Sequence, residues 1–353
     1  MNIDLLKNLS DASAVSGDEQ EVRQILVREL RDHADEITFD GLGSFVARKG
    51  SNGPKVAIVG HMDEVGFMVK HISEQGYIWF DTIGSWWNQS MLNHRVTVRT
   101  RKGEKIPGLI GSVAPHALSD KQKQQPMAHE EMFIDIGASS REEVAARGIE
   151  IGDFINPEAN FARWGEDKIT AKALDNRAGC ALMAELLQAV NNPNITLYGI
   201  ATVEEEVGLR GAQTSAEHVK PDVVIVLDTA VAGDIPGIDP IKFPLKLGCG
   251  PAVMLFDKRY FPNQKLVAAL KQSSESTGAP LQMCTMKTGA TDGGRFNVMG
   301  GGRPVVSLCL PTRYLHANSS MISARDYEAA FSVIKHLLMN MNAKFIDELN
   351  NYL

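Results

Sequence analysis

The chain has no apolar run of the ~18 residues that a membrane span needs. Its first residues, MNIDLLKNLSDASAVSG, lack the basic start, long apolar core and small-residue cleavage site of a secretory signal. It also lacks a basic block: the formal charge is -7 and the pI is near 5.8, a balance that does not grip nucleic-acid phosphates or an anionic membrane. The expectation is therefore a soluble cytoplasmic protein, with no nucleic-acid or membrane partner, that acts on a peptide-sized or neutral substrate. Cysteine is scarce. Cys180, Cys249, Cys284 and Cys309 lie far apart without a C-x-x-C pair, which argues against a zinc knuckle or a disulfide scaffold and for reduced, mostly buried thiols. Internal repeats, low-complexity tracts and long linkers are absent as well.

What is there suffices for two domains: 353 residues, 44% hydrophobic and 22% charged. Ser16 and Glu19 form an S-x-x-E pattern that predicts a capping box before a helix carrying Val22, Ile25, Leu26 and Leu30. Short strands are expected at Glu36–Phe39 and Ser44–Ala47. Val56–Val59, Ile195–Val203, Val223–Leu227 and Val305–Leu310 are apolar, β-branched and without polar alternation, the pattern of central strands covered on both faces. Between and after them lie helical patterns at Asn176–Val190, Gln264–Ser276 and Ala324–Asn351. This alternation implies an α/β fold with a mostly parallel central sheet and helices on both faces.

From about Gly66 to Trp164 the rhythm changes to strands at Phe67–Ile72, Tyr77–Ile83, Arg95–Arg101, Leu109–Val113 and Met132–Ile136, with one helix at Arg141–Arg147. The expected division is a catalytic domain over residues 1–65 and 165–353 and an inserted, smaller β-rich domain over 66–164. Within the insertion, the polar segment Pro115–Glu131 is expected to be a loop.

Each of the four central strand runs leads to groups able to bind a metal. Val56–Val59 precedes His61, Asp63 and Glu64; Ile195–Val203 precedes Glu204, Glu205 and Glu206; Val223–Leu227 precedes Asp228; Val305–Leu310 precedes His316. In an open α/β sheet such groups converge in the crevice at the carboxyl ends of the strands. Asp175, at a helix start, is the natural fifth member. Singly, each has a plain structural reading: Asp175 as a helix cap, His61 as a satisfied strand-end histidine, the glutamates as a solvated face. Together they would repel and desolvate one another unless cations compensate them. Two histidines with three carboxylates suit zinc, cobalt or manganese, and five ligands exceed one tetrahedral ion, so a carboxylate shared by two ions resolves the count. A glycosidase would need two carboxylates and leave His61 and His316 unexplained.

His61-Met62-Asp63-Glu64-Val65-Gly66-Phe67, Ala173-Leu174-Asp175-Asn176-Arg177, Glu205-Glu206-Val207-Gly208-Leu209-Arg210-Gly211 and Arg313-Tyr314-Leu315-His316 resemble the signatures of the tetrahedral (TET-type) metallo-aminopeptidases, of the di-zinc aminopeptidase clan, over essentially the whole chain. The resemblance extends to Thr291-Asp292-Gly293. It implies a zinc-exopeptidase-like fold and removal of N-terminal residues from short peptides by water activated on two divalent ions, zinc foremost, with cobalt or manganese as alternatives. It implies that Asp175 bridges the ions, with His61 and Asp228 completing one site and Glu206 and His316 the other. Glu205 becomes the general base. Asp63 becomes the carboxylate that orients His61, the alternative being a further ligand. It also implies that the inserted domain builds dimers that assemble into a hollow dodecamer. Arg177, Arg210 and Arg313, next to these motifs, read as structural counter-charges.

Overall fold

The computed structural model describes residues Met1–Leu353. Two helices, Ile3–Asp11 and Gln20–Leu30, precede strands β1 (Glu36–Phe39), β2 (Phe45–Lys49) and β3 (Lys55–His61). Six strands then close a barrel: β4 (Gly66–Ile72), β5 (Ile78–Ile83), β6 (Arg95–Arg99), β7 (Lys105–Ile110), β8 (Ile134–Asp135) and β9 (Phe154–Pro157). The hairpin β10 (Ala162–Trp164) and β11 (Lys168–Ala171) returns the chain to the larger domain. The remaining strands are β12 (Thr196–Thr202), β13 (Val223–Val231), β14 (Ala252–Asp257), β15 (Gln282–Met286), β16 (Val305–Thr312) and β17 (Ser320–Ser323), and β17 pairs with β11.

The main sheet has the order β1-β2-β12-β3-β13-β16-β14-β15, and its four middle strands, β12, β3, β13 and β16, run parallel. Both faces are covered, which is why these strands carry no polar alternation. Val56, Ile58, Ile225 and Leu308 meet the helices Leu174–Ala189 and Ala324–Asn340 on one side. Their neighbours Ala57, Val59, Val224 and Val226 pack on Ala212 and Ala216 of the helix Arg210–Val219, and on Phe296, on the other. The barrel has a separate core around Phe67, Phe80, Val96, Ile134 and Ile155, and Trp86 stacks on Phe67 there at 4.7 Å. The fold is thus an α/β sheet with a smaller β-barrel domain.

Several local expectations need correcting. The capping box does not form: Glu19 itself precedes the helix Gln20–Leu30 and makes no side-chain cap. Its carboxylate and the Ser16 hydroxyl are taken by distant loops described below. The strand expected at Leu109–Val113 begins earlier, at Lys105, because the turn after β6 pairs Arg99 with Lys105. Beyond Ile110 the chain leaves the β6 ladder. β9, which pairs with both β4 and β6 and closes the barrel, was not expected at all. Ala324–Asn351 is two helices, the second restarted by the Asn342 side chain, which accepts the Phe345 N–H. Pro115–Glu131 holds short helical turns and a capped turn at Asp120–Lys123. The cysteines need no correction: all four are free and three are buried, as expected, with Cys249 exposed.

Candidate metal centre

The carboxyl ends of β12, β3 and β13 and the loop after β16 surround a cavity of about 550 Å³. His61 is the last residue of β3 and pairs across the ladder with Thr202, the last of β12. Glu205 and Glu206 follow in the loop after β12. Asp228 sits in β13 opposite Cys309 of β16. Asp175 lies at the start of the helix Leu174–Ala189, where the backbone is not yet helical, and its peptide bond to Asn176 is cis. His316 lies in the loop beyond β16. Non-glycine residues with left-handed backbone flank or join this set: Ala173 (φ 53°), Glu204 (φ 55°), Tyr314 (φ 59°) and His316 itself (φ 54°). Such conformations cost on the order of 1–3 kcal/mol each and concentrate at functional sites.

Asp175 stands between the two imidazoles. Its Oδ1 is 3.2 Å from His61 Nε2 and its Oδ2 is 3.3 Å from His316 Nε2. His61 Nε2 is also 3.8 Å from Asp228 Oδ1, and His316 Nε2 is 3.3 Å from Glu206 Oε1. Ligand-capable atoms of His61, Asp175 and Glu206 fall within 4.8 Å of one another, as do those of His61, Glu205 and Asp228. This mixed nitrogen and oxygen set is of the kind that divalent first-row ions accept, so the residues present fit a bound metal.

The electrostatics point the same way. Burial, reinforced by Glu206, Asp292 and Asp228 and opposed by His61, holds the Glu205 carboxyl well above its ordinary range. Burial and the nearby Asp175 charge do the same to Asp228, again against His61. Burial alone would lower the His316 imidazole, but Asp175 and Glu206 lift it to about 11. Burial likewise opposes the charged form of Asp175, yet hydrogen bonds from His316 and His61 hold that carboxyl well below its usual value. The cluster carries more negative charge than its surroundings neutralise, and it draws positive charge to the imidazoles.

Asp63 is fully buried beneath the centre. Its carboxylate accepts the backbone N–H groups of Glu205 (3.0 Å) and Glu206 (3.1 Å) and the Ser16 hydroxyl (2.6 Å), and its Oδ1 lies 3.4 Å from His61 Nδ1. The three arginines stay out of the cluster. Arg177 is wholly buried and donates to the carbonyls of Met62, Leu9, Ala12 and Ala14 and to Glu64, which also accepts from Lys172. Arg210 pairs with Glu204 and Arg313 with Asp234. His94, His116 and His129 belong to the barrel segment and line no part of the cavity.

Sequence reasoning gave no role to Asp292. It is buried, accepts the Thr202 hydroxyl at 2.5 Å on one oxygen and leaves the other without a partner; burial raises its carboxyl to about 6, against His61. Its Thr-Asp-Gly motif was the only available signal. Lys258 and Arg259, on the cavity wall just after β14, were also missed.

Fold and site define a two-domain α/β protein with a histidine–carboxylate cluster able to hold metal. The M42 glutamyl aminopeptidase family matches residues 43–333. FrvX of Escherichia coli (strain K12) is 73% identical over all of this chain and 99% of its own length. The glutamyl aminopeptidase of Lactococcus lactis subsp. cremoris (strain MG1363) is 32% identical over 99% of each chain. Among solved structures, a TET aminopeptidase of a marine-sediment Thaumarchaeota archaeon superposes with a TM-score of 0.95 at 38% identity, covering 99% of this chain and 98% of that one. Pyrococcus horikoshii TET1 peptidase, able to assemble into a tetrahedron or a large octahedral shell, gives 0.87 at 26% identity, covering 96% and 99%. The chain belongs to the M42 family, the TET-type aminopeptidases, and is an aminopeptidase.

Proposed function

We propose that this protein removes N-terminal residues from short peptides with two divalent ions, zinc foremost with cobalt or manganese as alternatives, held by His61, Asp228 and Asp175 on one side and by Glu206, His316 and Asp175 on the other. The observation that carries this reading is the seat of Asp175, one carboxylate oxygen toward each histidine. When bound, the ions would supply Lewis acidity and a water made acidic enough to lose its proton near neutral pH. The protein's own residues do the rest. Glu205, raised by burial and by neighbouring carboxylates, takes the proton of the attacking water and returns it to the leaving amine. Asp63 fixes the His61 ring from its Nδ1 side, with its backbone carbonyl at 3.1 Å and its carboxylate at 3.4 Å, and holds the backbone beneath Glu205. Glu205 also lies within reach of His61 and Asp228, so proximity alone does not separate base from ligand. The separation rests on Glu206, which already meets His316.

Lys258 and Arg259 give the cavity wall two cations, and the wall has no acid outside the central cluster. An acidic first side chain complements them, in keeping with the glutamyl designation of the family. The barrel contributes none of the proposed ligands and exposes Trp87, Ile151 and Leu109, which suits it to joining subunits into dimers and these into a dodecamer.

The test is metal content against turnover. Stripped protein is expected to be inactive and to regain activity as about two ions bind per chain; full activity in metal-free protein would refute the reading. Asp175→Asn is expected to weaken retention of both ions together.

A further inference from the structure

The segment Ser16–Glu21 looks in sequence like a helix start, yet the helix it precedes receives no side-chain cap from it. Glu19 is buried, and one of its carboxylate oxygens accepts the Gly17 N–H at 2.8 Å and the Glu204 N–H at 3.1 Å. Ser16 is buried too, and its hydroxyl donates to Asp63 at 2.6 Å. Asp63 in turn accepts the N–H groups of Glu205 and Glu206. Three successive amides of the glutamate loop are therefore gathered by two buried carboxylates, one belonging to this segment and the other steadied by it.

We propose that Ser16 and Glu19 are positioning residues for the aminopeptidase reaction, acting through Glu204 and Asp63 to fix where the Glu205 side chain stands. The proposal rests on the reading of Glu205 as the proton-transfer group. Neither residue lines the cavity, so neither touches substrate. Glu204 has left-handed backbone, which persists only where its surroundings hold it, and Glu19 supplies the partner of its N–H. A buried carboxylate is stabilised by the hydrogen bonds it accepts, and one Glu19 oxygen accepts from a loop amide far along the chain. The opposite side of the segment is fixed to the barrel: Asp18 pairs with Arg99, and Glu21 with Lys105 at 2.8 Å. The stretch is a strut from the barrel to the catalytic loop. Loosening it displaces Glu205 relative to the water it must meet, and an ångström of displacement at a reacting group is enough to cost about a hundredfold in rate.

The experiment compares Glu19→Ala, Glu19→Gln and Ser16→Ala for kcat, KM, bound metal and thermal stability on one aminoacyl substrate. Glu19→Ala is expected to lower kcat about 10- to 100-fold with KM within about twofold and metal content at the wild-type level, as for residues that orient a catalytic group from behind. Glu19→Gln keeps an oxygen that accepts both N–H groups and is expected to recover most of the loss. Ser16→Ala, which removes a single hydroxyl, is expected to lower kcat several-fold. Wild-type kcat in Glu19→Ala or Ser16→Ala, an equal loss in Glu19→Gln and Glu19→Ala, or a fall that only follows lost metal each overturns the proposal. If Glu19→Ala does not fold, Ser16→Ala decides, and wild-type kcat there refutes it. Glu205→Gln separately tests the reading beneath: full turnover in that variant sinks the base assignment whatever Ser16 and Glu19 do.

Discussion

The backbone N–H of Glu205 meets the Asp63 carboxylate at 3.0 Å while its own side chain lines the cavity. The loop is gripped from below and its acid is presented above. That division predicts different fates for two adjacent glutamates. Glu205→Gln is expected to lose roughly 10²- to 10⁴-fold in turnover and keep its metal, because only proton transfer is removed. Glu206→Gln is expected to lose metal, because His316 then has one carboxylate neighbour fewer. Metal analysis beside single-substrate kinetics separates the two, and the reverse pattern would exchange their roles.

Substrate choice is expected to follow Lys258 and Arg259. In a panel of aminoacyl substrates, glutamyl and aspartyl compounds should give the highest kcat/KM. Arg259→Glu should cut those values by about tenfold or more, since a like charge then faces the acid, and spare leucyl substrates. Leucyl preference in the wild type, unchanged by Arg259→Glu, would remove the acidic-pocket reading.

Stability should respond to pH through Lys172, which is buried and shares the Glu64 carboxylate with Arg177. Burial first, and then the Arg177 charge, lower its pKa from 10.5 to about 8, although Glu64 opposes the shift, because one carboxylate faces two cations. Between about pH 8 and 10.5 the unfolded chain therefore binds more protons at this site than the folded one, and folding gains stability as pH rises through that window. Below it the cost of the buried charge is constant. Denaturant unfolding of wild type and Lys172→Met is expected to show the wild type gaining on the variant by up to about 3 kcal/mol across the window. A difference that stays flat with pH would contradict this account.

Assembly is expected to be large. Native mass spectrometry should find twelve chains, with dimers as the dissociation product. An Ile151→Glu, Trp87→Glu double variant should lower the mass, because both side chains are exposed on the barrel segment and charges there oppose burial against a neighbour. A fully active monomer at every concentration would refute the barrel's proposed role.

Much of this was legible from the residues in order. The runs at Val56–Val59 and Val223–Leu227 could be read as doubly covered strands because burial on both faces removes polar residues from both phases of the pleat. His61, Asp175, Glu206, Asp228 and His316 could be singled out because each lies at or just beyond such a strand or at a helix start, and a parallel sheet sends those ends to one edge. The sequence even marked Ser16 and Glu19, though for the wrong partners. A capping box is a local pattern, but which donor a carboxylate meets depends on what else the fold brings within hydrogen-bond reach, and here that was Glu204 and, for Ser16, Asp63. The closure of the barrel by β9, the seating of Lys172 beside Glu64, and the cations Lys258 and Arg259 on the cavity wall were decided in the same way. Periodicity and strand-end position are written along the chain, whereas contacts between segments far apart in sequence exist only once packing has chosen them.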